Sequence, residues 1–441
     1  MSTQPSAARP GRVAYVNARL LDPASGRDLR GALLTDARRI ADLGPGLFAD
    51  GVPEGIDVVD CAGHCLAPGL VDMRAHLREP GAEHKETLAT ASRAAAAGGV
   101  TSIACMPNTD PPIDQIALIE FIARRARETS LVKIYPVAAI TRGLEGRELT
   151  EIGMLAEAGA VGFSDADRAV MDSRVMLRAL TYAKPFGRLV MQHPEDRALT
   201  EGGMMNDGEL ASRLGLAGMP AEAETVIIER DLRLAARAEA PYHVAHVSTA
   251  AAIDVVRRAK ARGEPVTCAT APPYFALNET AVDDYRTFAK VRPPLRSEAD
   301  RAAVVAGLAD GTIDAIASDH APHDQDSKRT TFAQAAFGII GLETMLPLAL
   351  ELVHAGALSL VEVLARMTAA PARLLGLEQG RLAVGAPADL VVFDPDRPWR
   401  IDTSALRSKS KNAPYDERPV QGRVLRTVVG GETVFRLDGA P

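Results

Sequence analysis

The sequence predicts an α/β fold: a (β/α)8 TIM-type barrel with a small β-sandwich formed by both chain termini. Three observations carry that prediction. Short hydrophobic runs of strand length alternate with Ala-, Leu-, Glu- and Arg-rich helical stretches through the middle of the chain. Such units recur eight times. Polar side chains of catalytic type stand just behind several of the runs, where barrel strands open onto one face.

Taken in order, residues 13–21, 31–35 and 39–43 are β-like runs separated by turns, and Gly44-Pro45-Gly46 breaks the last of them. A matching set closes the chain at 388–394, 422–429 and 431–435. Neither set can close a core alone, so the two are expected to pair. This gives a composite sandwich from residues 1–65 and 382–441 around a barrel at 66–381. The barrel strands are expected at 69–73, 100–105, 132–137, 160–164, 188–192, 242–247, 265–269 and 313–318, with helices such as 88–97, 116–129 and 221–238 between them. A doubly wound sheet is the alternative, but no Gly-x-Gly-x-x-Gly follows the first strand.

Composition narrows the class. The 441 residues are 47% hydrophobic and 24% charged, with a formal net charge of −7. That balance suits a globular enzyme and argues against a nucleic-acid or anionic-membrane partner. No apolar run approaches the roughly 18 residues of a membrane span, and residues 1–12 are polar with Ala and Pro, so a cytoplasmic protein is expected. The scattered Cys61, Cys65, Cys105 and Cys268 suit reduced thiols rather than a disulfide framework. His64 between Cys61 and Cys65 looks like half a zinc knuckle, but no second Cys pair follows at knuckle spacing.

Residues of metal-ligand type follow five of the eight strands: His76, then Asp165 and Asp167, His193, His246, and finally Asp319 with His320 and His323. Any one of them has an ordinary structural explanation. Their recurrence at strand ends that share a barrel face favours one metal pocket. Opening or closing a cyclic amide needs a nucleophile at neutral pH and a polarised carbonyl, and zinc on imidazole and carboxylate ligands supplies both. A carboxylate beside the reacting water, with Asp319 the candidate, can carry the proton.

The stretch from Pro68 to Gly81 resembles the cyclic-amidase branch of the amidohydrolases, and dihydroorotase in particular, in its Pro-Gly-Leu-Val-Asp opening and its His-Leu-Arg-Glu-Pro-Gly close. Asp319-His320-Ala321-Pro322-His323 is similar to another motif of that family. So are the runs 105–109, 192–196, 246–250, 293–296 and 337–344, and the likeness covers nearly the whole chain. The resemblance implies a dihydroorotase that interconverts N-carbamoyl-L-aspartate and dihydroorotate in pyrimidine biosynthesis. It implies His76, His193, His246 and Asp319 as metal ligands, with Asp165 as a further candidate and Asp319 also the general base. Arg78 and Asn108 would hold the substrate carboxylate, a geometry that a guanidinium fork matches. His323 would contact the ring, and Phe337 and Gly338 would line the pocket; Arg292, which stands where that pattern has Asn, could add a second positive group or fill the pocket.

Three departures from the family pattern bear on the metal. Arg74 stands at the first histidine of the paired motif, and a guanidinium cannot coordinate zinc. Ser164-Asp165-Ala166-Asp167 puts Ala166 at the expected bridging position, with no lysine there to substitute. Arg292 replaces an expected Asn, and Pro272-Pro273-Tyr274 replaces Pro-His-His. One Zn2+ is therefore expected, with none or two as alternatives. Val71-Asp72-Met73-Arg74 and the run 406–412 also resemble a non-catalytic branch whose members are structural partners of aspartate transcarbamoylase. A third alternative is a cyclic amidase of allantoinase or hydantoinase type. A small-molecule substrate and a homo-oligomer complete the expectation.

Overall fold

The chain begins in a sheet that it also finishes. The structure, a computed structural model, describes residues 11–440; residues 1–10, most of the polar opening stretch, and residue 441 lie outside the described residues. Strand β1 (Arg12–Asp22) pairs antiparallel with β2 (Arg27–Asp36), which pairs with β3 (Arg39–Gly44). Strands β4 (Asp57–Asp60) and β5 (Cys65–Pro68) both run parallel to β1. Then Pro68-Gly69 turns the chain inward.

Eight parallel strands follow around a closed ring. They are β6 (Leu70–Ala75), β7 (Val100–Cys105), β8 (Lys133–Pro136), β9 (Gly162–Phe163) and β10 (Leu189–Gln192). A small pair, β11 (Met205–Asn206) and β12 (Gly218–Met219), decorates the next connection. The ring resumes with β13 (Tyr242–Val244), β14 (Val266–Thr270) and β15 (Ala315–Ile316). Hydrogen bonding runs β6–β7–β8 in one arc and β9–β10–β13–β14–β15 in the other. Parallel bridges from Ala138 to Phe163 and from Ala75 to His320 join the arcs. The expected barrel is present. Its last strand, Ala315–Ile316, is shorter than the run 313–318, and Asp319 beyond it takes the left-handed region at φ 48°.

Strand β6 is enclosed along its whole length. All six of its residues are buried, Asp72 and Arg74 included, as both faces of a barrel strand are covered. Asp72 is stabilised there by accepting hydrogen bonds from Ser318 N at 2.9 Å, Arg74 N at 3.2 Å and the Ser318 hydroxyl. That carboxylate ties the first strand to the last. Helix Leu88–Ala97 starts immediately behind the first rim loop, where Thr87 and Thr90 form a reciprocal cap.

The chain then returns to its first sheet through β16 (Leu390–Arg400), β17 (Pro419–Val429) and β18 (Glu432–Arg436). The result is one continuous sheet, β18–β17–β16–β5–β1–β2–β3, with β4 on β1. Tyr15, Leu33 and Ile40 from one end share a buried cluster with Leu390, Leu425 and Val428 from the other. The sheet therefore curls around its own small core, and the two termini are layered by curvature rather than by separate hydrogen-bonded sheets. All four cysteines are buried and free. Among the described residues, no helix is long and apolar enough to cross a membrane.

Candidate active site

The ring's carboxyl-end rim brings His76, His193, His246 and Asp319 together, and places Arg74 among them. Arg74 points inward from β6 with its side chain 4% exposed. Its Nε donates to Asp319 Oδ1 at 3.1 Å and its Nη2 to Asp167 Oδ1 at 2.6 Å. His76 Nε2 lies 3.6 Å from Asp167 Oδ1 and 3.9 Å from Asp319 Oδ1, and His246 Nε2 lies 3.5 Å from the same Asp319 oxygen. The His193 and His246 rings meet edge to face at 6.3 Å, and Tyr274 packs against the far side of His246 at 6.0 Å. Tyr274 thus occupies, as an apolar wall, the position where the resemblance led one to expect histidine.

Charge and burial act on this group in opposite directions. Burial pushes the Asp319 carboxyl up to about 7, even though Arg74 pulls it down. Burial also lowers His76 to about 3 and drives His246 well below its usual value, so both imidazoles are neutral. Asp167 sits at the mouth with about half its side chain open (47%). Enclosure by the rim opposes its ionisation, but the His76 ring and the Arg74 guanidinium outweigh that and hold the carboxyl well below the usual range.

Three imidazole nitrogens of this pair make no hydrogen bond within the protein: His193 Nδ1, His246 Nδ1 and His246 Nε2. Buried polar atoms without partners are rare and call for an explanation such as a bound ion. His76 differs. Its Nδ1 donates to Asn108 Oδ1 at 2.7 Å, which fixes the tautomer and leaves Nε2 facing the carboxylates. Among the described residues, no three His, Cys, Asp or Glu side chains are already drawn into a coordination sphere; Arg74 holds the two carboxylates instead.

The remaining expected site residues divide clearly. Arg78, at a left-handed φ of 62°, reaches across to Pro322 O at 3.3 Å and His323 Nε2 at 3.4 Å. It does not pair with Glu79, whose carboxylate takes Arg125 at 2.7 Å and caps Leu88 N at 2.8 Å. Asn108 spends its amide on His76 and, at 3.2 Å, on Asp167 Oδ2. Arg292 clamps Glu195 with both Nε, at 2.6 Å, and Nη2, and lies 5.3 Å above the Phe337 ring. Glu195 in turn faces His193 Nε2 at 3.2 Å. Gly338, at φ 125°, donates its N–H to Lys290 O and gives its carbonyl to Lys328 Nζ and the Asn412 amide, so its backbone groups are used internally.

Asp165 is not part of the gathering. It accepts from Ile140 N and Thr141 N at 2.9 Å each and from the Thr141 hydroxyl, and so ties down the loop behind β8. Ala166, left-handed at φ 54°, then turns the chain so that Asp167 reaches the rim in its place. The two aspartates were both visible in the sequence. The kink between them, which decides which one reaches the mouth, was not.

With this geometry in hand, two family models match the chain: Dihydro-orotase-like over residues 63–252 and Amidohydrolase family over residues 308–435. A dihydroorotase of Anaplasma phagocytophilum (strain HZ) is 49% identical over 97% of this chain and 96% of its own length. The chain belongs to the dihydroorotase family. A Geobacter sp. (strain M21) dihydroorotase is also 49% identical, over 95% of this chain and 98% of its own. Among solved structures, an L-hydantoinase (dihydropyrimidinase) from Arthrobacter aurescens superposes with a TM-score of 0.88 at 26% identity, over 97% of each chain. Family membership and fold together place the chain among the cyclic amide hydrolases. At the centre of the rim stands the Arg74 guanidinium, between Asp319 and Asp167.

Proposed function

We propose that this chain is a dihydroorotase of pyrimidine biosynthesis, closing N-carbamoyl-L-aspartate to dihydroorotate and opening the ring in reverse. The observation that carries the reading is the convergence of His76, His246 and Asp319 within 3.5–3.9 Å at one rim, with His193 beside them and the Arg78–His323 pair on the flank.

The residues fit one divalent ion and not two. The unpartnered nitrogens of His193 and His246 supply imidazole donors, and Asp319 is the adjoining carboxylate. On the His76 side the Arg74 guanidinium already neutralises Asp167 and Asp319, leaving no room for a second dication beside a fixed positive charge. When bound, a zinc-type ion lowers the pKa of a water and polarises a carbonyl. The other roles belong to side chains. Arg78 and His323 orient the substrate carboxylate. Asp319 takes the proton from the attacking group and returns it to the leaving one. In ring opening that is from water to the amide nitrogen; in closure it is from the carbamoyl nitrogen to the departing water. Arg292, engaged by Glu195, braces His193 rather than offering a free second cation.

A second reading has a specific observation in its favour. The Arg74 bridge between Asp319 and Asp167 is what a silent dihydroorotase-like partner of aspartate transcarbamoylase would show, with a guanidinium replacing the metal. Purified chain assayed for zinc and for loss of the ultraviolet absorbance of dihydroorotate separates the two. The enzyme reading expects about one zinc per chain and turnover. A metal-free chain with no ring opening, co-eluting with aspartate transcarbamoylase, would establish the partner instead. A cytoplasmic homo-oligomer goes with either.

A further inference from the structure

The segment 406–412 lies far from the barrel in sequence, between β16 and β17, yet it is fastened to both loops that flank the substrate side of the rim. Arg407 N and Ser408 N donate to Glu343 Oε1 at 2.5 and 3.3 Å. The Ser408 hydroxyl and Lys409 N both bind the buried Glu86, the latter at 3.1 Å. Lys409 Nζ reaches Glu83 O at 2.6 Å, and Ser410 Oγ reaches Lys85 O at 2.7 Å. These contacts hold the loop behind β6, which carries Arg78.

Asn412 then grips the other loop. Its side chain is buried, with Oδ1 accepting from His323 N at 3.1 Å and Nδ2 donating to Ala321 O at 3.1 Å and Gly338 O at 3.0 Å. Its own carbonyl accepts from Ile340 N at 3.2 Å. One amide therefore clips together the two arms of the 321–340 loop, one bearing His323 and the other Phe337 and Gly338. The arms are already crowded, since a Cβ on Gly338 would lie 2.7 Å from Ala321 Cβ. Arg78, at 3.4 Å from His323 Nε2, closes the circuit back to the first loop.

We propose that Asn412 is a positioning residue, and that the segment 407–412 is a strap by which the terminal sheet sets the distance between Arg78 and His323 for a carboxylated ring. Asn412 touches no reacting atom. It acts through the backbone of His323 and Gly338, and side chains that hold a binding group from behind tune affinity by preorganisation. The ligand assignment rests on the dihydroorotase reading; the strap itself does not.

The test uses the full chain and two variants, Asn412→Ala and Asn412→Asp, with Ser404→Ala on the exposed start of the same connection as a control. Hydrogen exchange of the amides at 321–323 and 337–340 reads the strap without reference to activity. Loss of one amide's hydrogen bonds is expected to speed that exchange about tenfold in Asn412→Ala. The same variant is expected to raise KM for dihydroorotate about tenfold while kcat stays within about threefold. Asn412→Asp keeps the acceptor for His323 N but loses both donations, so protection falls at 337–340 and is retained at 323. Unchanged exchange at both arms overturns the strap, and a collapse of kcat at constant KM overturns its positioning role. If Asn412→Ala does not fold, Asn412→Asp decides by the same readouts. If the wild-type chain does not turn over dihydroorotate, the functional reading fails, and the exchange data alone decide the strap.

Discussion

Arg74 Nη2 lies 2.6 Å from Asp167 Oδ1, an ion pair at the centre of the rim that also gathers His76, His246 and Asp319. A buried guanidinium with carboxylates on two of its nitrogens is costly to disturb from one side only. Arg74→Met should leave Asp319 without its partner and destabilise the chain by about 3 kcal/mol, measured by urea unfolding at neutral pH. A change within experimental error would mean that the pair contributes nothing to folding.

Arg74→His addresses metal content. It replaces the fixed charge with an imidazole on the same buried strand, facing Asp319 and Asp167. Zinc per chain, measured by elemental analysis after dialysis, should rise above the wild-type value, because both carboxylates are then free to ligate. An unchanged ratio would show that Ala166, not Arg74, sets the limit.

His246→Ala removes the imidazole whose two nitrogens make no hydrogen bond within the protein. Zinc content and dihydroorotate turnover should fall together, the latter by at least about 100-fold. Unaltered turnover would remove His246 from the mechanism.

Arg78→Lys keeps the charge but loses the planar fork. KM for dihydroorotate should rise about tenfold or more, and activity on plain hydantoin, which lacks a carboxylate, should change little. Equal losses on both would point to a structural role for Arg78 beneath His323.

Lys328 gives a pH prediction away from the cluster. Fully buried, its Nζ donates to the carbonyls of Lys290, Ala336 and Gly338 at 3.3, 2.7 and 3.1 Å. Burial depresses its pKa to about 7. Between that value and the unfolded one near 10.4 the unfolded chain binds the extra proton, so stability should rise with pH. Relative to Lys328→Met, the wild type should gain on the order of 1 kcal/mol per pH unit between about pH 7.5 and 9.5. A flat difference would mean that Lys328 stays charged among its carbonyls.

Much of the architecture was legible because barrel strands carry their own signal. β6 and β7 are buried along their whole length and are mostly apolar runs of strand length. The left-handed backbone of Asp319, just beyond the last strand, was not legible, since its residue type does not announce it. At the site, the recurrence of His76, His193 and His246 at strand ends was enough to bring them together. The exchange of Asp165 for Asp167 depended on the turn at Ala166. The clamp of Glu195 on Arg292 depended on two residues 97 positions apart in sequence. Arg74 was visible as a departure, but its two carboxylate partners emerge only once the ring is closed.

One cation, and not two, is expected to share this rim with Arg74. Anomalous diffraction at the zinc edge, from crystals grown with zinc, tests it most directly. A single peak adjoining His193, His246 and Asp319 is expected, with the Arg74 side chain still on Asp167. Two peaks, or a rim holding only the guanidinium, would contradict it.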